Sequence, residues 1–175
     1  MDADFLLIRK MKQGDEQAFD QFVYKYYQDI LKYCLYHCND HEYAQDLTQE
    51  TFVSFFGKLS EYQYRGKTKN YLYTIAHNLC KNFYKKRKDI ALDSFQFEMI
   101  DQGKDENEDF EKRMMLEWAL TKIPEEYREV IILYYFEEIK LKDIARILNI
   151  SLSLVKYRLR QAKLQLKKLL REGEK

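Results

Sequence analysis

Basic and polar side chains are concentrated on one side of a helix predicted after Ser151. The apolar residues of this helix, from Val155 to Leu169, repeat at three- and four-residue spacing and predict a buried stripe. The residues left to face outward are Ser153, Leu154, Lys156, Tyr157, Arg158, Arg160, Gln161 and Lys163. Arginine and lysine donate to guanine acceptors in the major groove, and glutamine pairs with adenine. The pattern predicts a helix that reads duplex DNA, and the alternative is a solvated charged face.

A second candidate site is the polar loop at residues 61–67, which mixes aromatic and cationic side chains ahead of a basic helix. The residues that carry the pattern are Tyr62, Tyr64, Arg65, Lys67, Lys85, Lys86 and Arg87. Aromatic faces stack unpaired bases, and cations follow a nucleic-acid backbone. The loop therefore predicts contact with separated strands. Because the chain contains 15 tyrosines, simple packing of the two loop tyrosines is the alternative.

Cys34, His37, Cys38 and His41 have the residue types of a metal site. Both cysteines, however, fall on the apolar stripe of a predicted helix, where a reduced cysteine acts as a small core residue. His41 lies beyond the break in that helix. We therefore expect no metal and no cofactor. The chain also lacks a nucleophile–base constellation and a phosphate-binding glycine loop, so we expect no catalytic residues and no enzyme activity.

The helical stripes predict an all-α fold. The 175 residues include five glycines and one proline, too little turn material for many short strands. Apolar stripes cover residues 19–38, 44–59, 72–83, 115–123, 130–136, 141–148 and 155–169. Asp40 and Ser151 are predicted as N-caps, and Pro124 as the first residue of a helix. A short helix, a turn at residues 149–150 and a capped basic helix together predict a helix-turn-helix.

Charge divides the chain into three parts. Residues 89–111 contain nine acids and one base, a net charge of −8, which leaves +9 on the remainder because the whole chain carries +1. This segment also has weak periodicity, so it is predicted to be a flexible acidic linker. The two helical domains are then residues 1–88 and 112–175. A basic body joined by an acidic linker favours a nucleic-acid partner.

The number of cysteines and the hydropathy of the chain predict the cellular compartment of the protein. Three cysteines are an odd number, and the first residues lack the pattern of a signal peptide, which argues for reduced thiols. No apolar run is long enough to cross a bilayer. We therefore expect the protein in the cytoplasm.

Several motifs resemble the extracytoplasmic-function sigma factors of bacterial RNA polymerase. The promoter-melting half of that family is matched by GDEQAF at 14–19, AQDLTQETF at 44–52 and YLYTIAHNL at 71–79. Its second DNA-binding domain is matched by IP at 123–124, DIARIL at 143–148 and VKYRL at 155–159. The resemblance covers nearly the whole chain in the expected order. It implies a subunit that binds core RNA polymerase, recognises promoter DNA, melts it and initiates transcription.

The resemblance also implies residue roles. Asp46, Gln49, Glu50 and Val53 are spaced to share one helix face, which in the family docks on the clamp helices of the polymerase. The loop would capture a base flipped from the minus-ten element, with Tyr71 and Asn78 beside it. The last helix would read the minus-thirty-five element. Without the other motifs, the acidic face would be interpreted as plain charged surface.

The chain departs from the family pattern at outward positions. Tyr71 stands where the family usually has tryptophan, and Asn82 where it often has aspartate. Leu154, Tyr157 and Gln161 replace a common threonine, serine and arginine. The preferred minus-thirty-five sequence is therefore expected to differ from the usual one.

Two other functions remain open from the residues alone. A stand-alone helix-turn-helix regulator would bind duplex DNA tightly by itself, and an adaptor would bind only proteins. The polymerase face and the loop at 61–67 favour the sigma interpretation, because a repressor needs neither. The resemblance further implies an anti-sigma factor as a partner, which is membrane-anchored for many family members.

Overall fold

The computed structural model describes residues 2–38, 40–87 and 107–173, and describes their side chains except for Tyr84, Arg87 and residues 107–109. All regular secondary structure in these ranges is helical, which confirms the all-α prediction. The chain forms two compact units, Met1–Asp93 and Ser94–Lys175. Within the described ranges, no helix combines the length and apolar character needed to cross a membrane. The helices are α1 (Ala3–Lys12), α2 (Glu16–Cys38), α3 (His41–Gly57), α4 (Thr68–Arg87), α5 (Asn107–Lys122), α6 (Glu125–Ile131), α7 (Leu141–Leu148) and α8 (Leu152–Gly173), with a π-helical turn at Ile132–Phe136.

The first unit packs α2, α3 and α4 around an aromatic core. Phe22 of α2 and Phe55 of α3 are fully buried, and their rings stack with centroids 4.8 Å apart. Tyr33 of α2 meets Tyr73 of α4 edge-on, with centroids 5.2 Å apart. Aromatic pairs of this geometry stabilise a core by about 0.5–1.5 kcal/mol beyond their burial. Phe22 and Phe55 belong to the predicted stripes, whereas Tyr33 and Tyr73, which are equally buried, do not.

Local capping fixes where these helices begin. The Asp40 carboxylate accepts hydrogen bonds from the backbone N–H groups of Glu42 and Tyr43 at 3.0 and 3.1 Å, which confirms the predicted N-cap of α3. Gly14, with φ +83°, ends α1 in the left-handed region. The N–H of Gly14 donates to Met11 O, and that of Asp15 to Lys10 O, a turn that glycine adopts at the lowest cost.

Cys34 and Cys38 are core residues, as the apolar stripe of α2 predicted. Cys34, Cys38 and Cys80 are all buried free thiols. Burial raises the pKa of the Cys38 thiol to about 12, so it is protonated at neutral pH. In the described part of the chain, no three His, Cys, Asp or Glu residues are grouped as metal ligands.

Helix α1 precedes the first predicted stripe, which begins at residue 19. Ile8 and Met11 bury against the bundle, 3% and 2% exposed. The buried carboxylate of Asp4 accepts from the Lys25 ammonium at 2.5 Å and from the Tyr26 hydroxyl. Burial, and next the bond to Asp4, raises the pKa of Tyr26 far above its usual range. The phenol therefore stays a donor, and α1 is fastened to α2.

The second unit joins α5 to α6 through a buried arginine. Arg128 is 6% exposed, and its Nε donates to Leu120 O at 2.9 Å, where it satisfies a carbonyl at the end of α5. Pro124 is predicted as the first residue of a helix. In the structure α6 begins one residue later, at Glu125, and Pro124 is its N-cap.

The boundary of the acidic linker also differs from the prediction. Residues 89–106 lie outside the described residues. Helix α5 begins at Asn107, so residues 107–111, which charge and weak periodicity assigned to the linker, are helical. Acidic side chains suit the first turn of a helix because they face its partial positive charge. A count of charges therefore does not distinguish a linker from the start of a helix.

Candidate nucleic-acid and polymerase interfaces

The second unit contains the predicted helix-turn-helix. Asn149 ends α7 in the left-handed conformation, with φ 52° and ψ 48°. Asparagine tolerates this region better than most residues, because its short side chain can bond locally. Ser151 Oγ then accepts the backbone N–H of Leu154 at 3.1 Å, which confirms the predicted N-cap of α8. The turn and cap together fix the direction in which α8 leaves α7.

Helix α8 separates a buried stripe from a polar face. Val155, Leu159, Ala162 and Leu166 are buried as predicted, whereas Leu169 is half-buried. None of the eight predicted duplex-reading residues is buried. Ser153, Lys156, Tyr157, Arg160 and Lys163 are exposed, and Leu154, Arg158 and Gln161 are half-buried. Lys156, Arg160 and Lys163 line one side of a shallow, open depression with Leu164.

Two tyrosines from neighbouring elements contact this face, and the sequence analysis did not find them. Burial, and next its interaction with Tyr157, raises the pKa of Tyr127 on α6. Tyr135, in the π-helical turn, lies under the Lys163 ammonium, which is 5.5 Å from its ring centroid. A hydrogen bond to Tyr135 raises the pKa of Lys163. Only the tertiary fold brings these pairs together, so no sequence spacing could have revealed them.

In the first unit, Tyr62 joins the loop to the core. Its ring stacks on Tyr71 with centroids 5.0 Å apart and meets Phe55 edge-on at 5.2 Å. Burial raises the pKa of Tyr62. The packing alternative therefore describes much of what Tyr62 does in the free protein. The half-exposed ring still presents an aromatic surface beside α4.

The remaining loop residues are more accessible. Tyr64 is half-buried, and its hydroxyl donates to the Asp2 carboxylate. Arg65 and Lys67 are exposed. Gly66 between them has φ +72°, a conformation that side-chain-bearing residues rarely adopt. The turn at Gly66 thus places two cations next to two tyrosines.

Helix α4 follows the loop directly and carries a polar face. Tyr71, Asn78 and Lys85 are seven residues apart, and so lie along one side of the helix. Asn78, Lys85 and Lys86 are exposed, and Tyr71 is half-buried under Tyr62. The side chain of Arg87 lies outside the described residues.

Helix α3 presents the predicted acidic face. Asp46, Gln49, Glu50 and Val53 are all exposed, Val53 by 68%. The other side of the helix is buried in the core through Leu47, Thr51 and Phe55, among others. The charged face is therefore open to solvent in the isolated chain, and a mutation there changes surface rather than packing.

The fold first defines a class, an all-helical protein of two units that carries a helix-turn-helix. Residues 22–90 match the family model of Sigma-70 region 2, and residues 113–166 match Sigma-70, region 4. The RNA polymerase sigma factor YlaC of Bacillus subtilis is 33% identical over 90% of this chain and 94% of its own length. The ECF RNA polymerase sigma factor SigW of the same organism is 29% identical over 94% of this chain and 95% of its own length.

Two solved structures share the fold. CnrH, in complex with the cytosolic domain of CnrY, is 21% identical with a TM-score of 0.74, and the match covers 98% of this chain and 99% of CnrH. RpoE of Bartonella quintana, in complex with the anti-sigma factor NepR, is 22% identical with a TM-score of 0.73. That match covers 87% of this chain and 96% of RpoE.

The chain belongs to the extracytoplasmic-function sigma factors of RNA polymerase. It therefore binds core polymerase and directs promoter recognition, DNA melting and transcription initiation. Sigma factors are not enzymes in the catalytic sense.

Proposed function

We propose that the two units divide initiation between them, with strand separation in the first and duplex recognition in the second. The observation that carries this division is the difference in side chains. The loop of the first unit offers aromatic faces beside cations, which suit unpaired bases, whereas α8 offers exposed cations on a rigid helix, which suit the major groove.

In the first unit, the loop and α4 bind the minus-ten element. Tyr62, Tyr64, Arg65 and Lys67 surround the captured base and its phosphates, and Asn78 lies two turns beyond Tyr71 on the same face. Extrusion of a base costs a few kcal/mol. A stacked base returns about 1–3 kcal/mol, so the loop can offset that cost.

In the second unit, α8 binds the minus-thirty-five element. Lys156 and Arg160 are exposed one turn apart, and Lys163 is held beside them by Tyr135. Cations in this arrangement can donate to guanine or to phosphate. Tyr157, which is 52% exposed, stands where the family has a small residue and so alters which bases are favoured.

The exposed face of α3 docks on core polymerase. A pair of substitutions, Asp46→Lys with Glu50→Lys, reverses its charge without touching the core, and is expected to weaken association with core polymerase at least tenfold. The matched control is Glu16→Lys with Asp20→Lys, which has the same spacing and charge change on exposed α2 positions. Pull-down of core polymerase with purified chain measures both. Equal recovery of the α3 variant and wild type would assign docking to another surface.

An anti-sigma factor is the second protein partner that we infer. RpoE is solved with the anti-sigma factor NepR, and CnrH with the cytosolic domain of CnrY. We extend this mode of control to the present chain. The protein then acts in the cytoplasm, where core polymerase is found, without catalysing a reaction itself and without a cofactor.

A gel shift with and without core polymerase separates this function from a stand-alone helix-turn-helix regulator. The free chain has small basic surfaces and a strongly acidic segment at 89–111, so it is expected to bind duplex promoter DNA poorly at physiological salt. The holoenzyme is expected to bind and open the same DNA. Tight, sequence-specific binding by the free chain would instead support the regulator.

A further inference from the structure

Helix α1 contacts the loop at both of its ends. At its C-terminal end, the Lys12 ammonium lies 2.6 Å from Tyr62 O and 3.5 Å from Ser60 O. At its N-terminal end, Asp2 accepts the hydroxyl hydrogen of Tyr64, and the rings of Phe5 and Tyr64 lie 5.8 Å apart. Ten residues of helix span about 15 Å, so the loop follows the length of α1.

The helix that makes these contacts is itself held in place. Asp4 is buried and bonded to both Lys25 and Tyr26 of α2, and Ile8 and Met11 pack into the core. The turn at Gly14 then leads directly into α2. Contacts from α1 to the loop therefore connect the loop to the rigid part of the unit.

The contacts from Lys12 restrain the backbone where the loop begins. Its ammonium donates to two carbonyls that flank Glu61, and the N–H groups of Glu61 and Tyr62 both donate to Lys58 O. Ordering each loop residue costs about 1–2 kcal/mol of conformational entropy. A loop that is ordered before DNA arrives does not incur that cost during binding.

We propose that α1 is a brace that presets the loop for base capture, with Lys12 and Asp2 as positioning residues for promoter melting. Neither residue has to touch DNA. This inference rests on the proposed role of the loop in strand separation. It assigns a function to a helix whose polar residues no motif or comparison singles out.

The test uses holoenzyme reconstituted with core polymerase and a promoter that the wild-type holoenzyme transcribes. Lys12→Met keeps the apolar stem and removes the donor, and Lys12→Arg restores a cation. Lys10→Met is the matched control, since Lys10 is exposed on the same helix. Open complex, measured by permanganate reactivity of thymines, is expected to fall about three- to tenfold for Lys12→Met. Lys12→Arg should recover most of it, and Lys10→Met should match wild type.

A second readout follows the loop itself. Hydrogen exchange of the backbone amides at 60–67 in the full chain is expected to speed up in Lys12→Met and not in Lys10→Met. Asp2→Ser provides an independent variant, because serine keeps the N-cap of α1 but is too short to reach Tyr64. It should lower open complex in the same direction, by a smaller factor. If Lys12→Met removes the packing of α1 altogether, the open complex and hydrogen exchange measured for Asp2→Ser decide whether the brace is accepted or rejected.

Three other results would reject either the brace or the loop function. Equal losses in Lys12→Met and Lys10→Met would indicate general attraction to DNA and overturn the brace. Normal opening and exchange in Lys12→Met and Asp2→Ser, with slow opening when Tyr62 and Tyr64 become alanine, would reject the brace and keep the loop function. Normal opening in the tyrosine variant as well would reject the loop function itself.

Discussion

The loop at 61–67 and helix α8 hold their candidate DNA-binding side chains in different ways. In the loop, Tyr62 stacks on Tyr71, and Tyr64 bonds to Asp2. On α8, Lys156 and Arg160 extend into solvent. The loop tyrosines thus pack against other parts of the first unit, whereas α8 combines cations in solvent with Lys163, which lies over the Tyr135 ring.

The proposed division of initiation between the two units accounts for this difference. Duplex DNA displays base edges in a groove, so a stiff helix with exposed cations can dock on it unchanged. An extruded base has lost its stacking neighbours and needs an aromatic surface at a defined position. Contacts within the protein hold such a surface in place, and so the packed tyrosines of the loop suit the proposed melting role.

The largest effect is expected from Tyr62→Ala combined with Tyr64→Ala. Loss of stacking at about 1–3 kcal/mol per base predicts open complex reduced about ten- to a hundredfold, while closed complex forms nearly as in wild type. Permanganate reactivity and a gel shift measure the two complexes. Tyr62→Phe is the control, because it keeps the ring that packs on Phe55 and Tyr71.

Circular dichroism has to accompany this comparison. Since Tyr62 is also a packing residue, its removal can loosen the contact between α3 and α4. A loss of helical signal in the double variant would support the packing role over base capture. Intact helicity with slow opening would support the loop as a melting element.

A smaller effect is expected from Lys156→Ala. A contact to a base edge would cost about 1–3 kcal/mol and relax specificity at one position. A contact to phosphate would weaken all sequences alike and reduce the salt slope by about one. Holoenzyme binding to promoter variants across a salt series distinguishes these two roles. Lys168→Ala, exposed on another side of α8, should bind as wild type, and unchanged selection in Lys156→Ala would mean that another face enters the groove.

Arg158→Ala is expected to act in the same direction. Its side chain is half-buried, so part of any loss comes from packing of its stem rather than from DNA. Thermal stability of the variant separates the two contributions.

The smallest effect is expected from Ser151→Ala, which removes the cap of α8. Loss of the bond to the Leu154 N–H should lower stability of the second unit by about 1 kcal/mol. Thermal unfolding followed by circular dichroism measures this. Ser153→Ala, two residues later, should have no such effect, and equal stability of both variants would show that the cap is unimportant.

The sequence predicted the elements whose signals are local. The caps Asp40 and Ser151 precede clear apolar stripes, and a capping bond depends only on neighbours in the chain. The helix-turn-helix and the exposed face of α3 follow from the same periodicity. These features needed no tertiary information.

What the sequence did not predict depends on contacts between distant segments. Helix α1 is short, and much of its anchorage comes from Asp4 with Lys25 and Tyr26, a polar cluster that periodicity does not detect. The contact of the Lys163 ammonium with the Tyr135 ring likewise joins two elements. Weak periodicity and acidic charge together placed the start of α5 too late, because acidic residues suit both a linker and the first turn of a helix.

The most direct test of the division between the two regions is a template with a premelted mismatch bubble. The account predicts that the bubble partly restores open complex to the Tyr62→Ala, Tyr64→Ala variant, since the unpairing cost has already been met. It predicts no such recovery for Lys156→Ala, whose defect precedes melting. A tyrosine variant that gains nothing from the bubble, or that opens linear duplex as fast as wild type, would contradict the account.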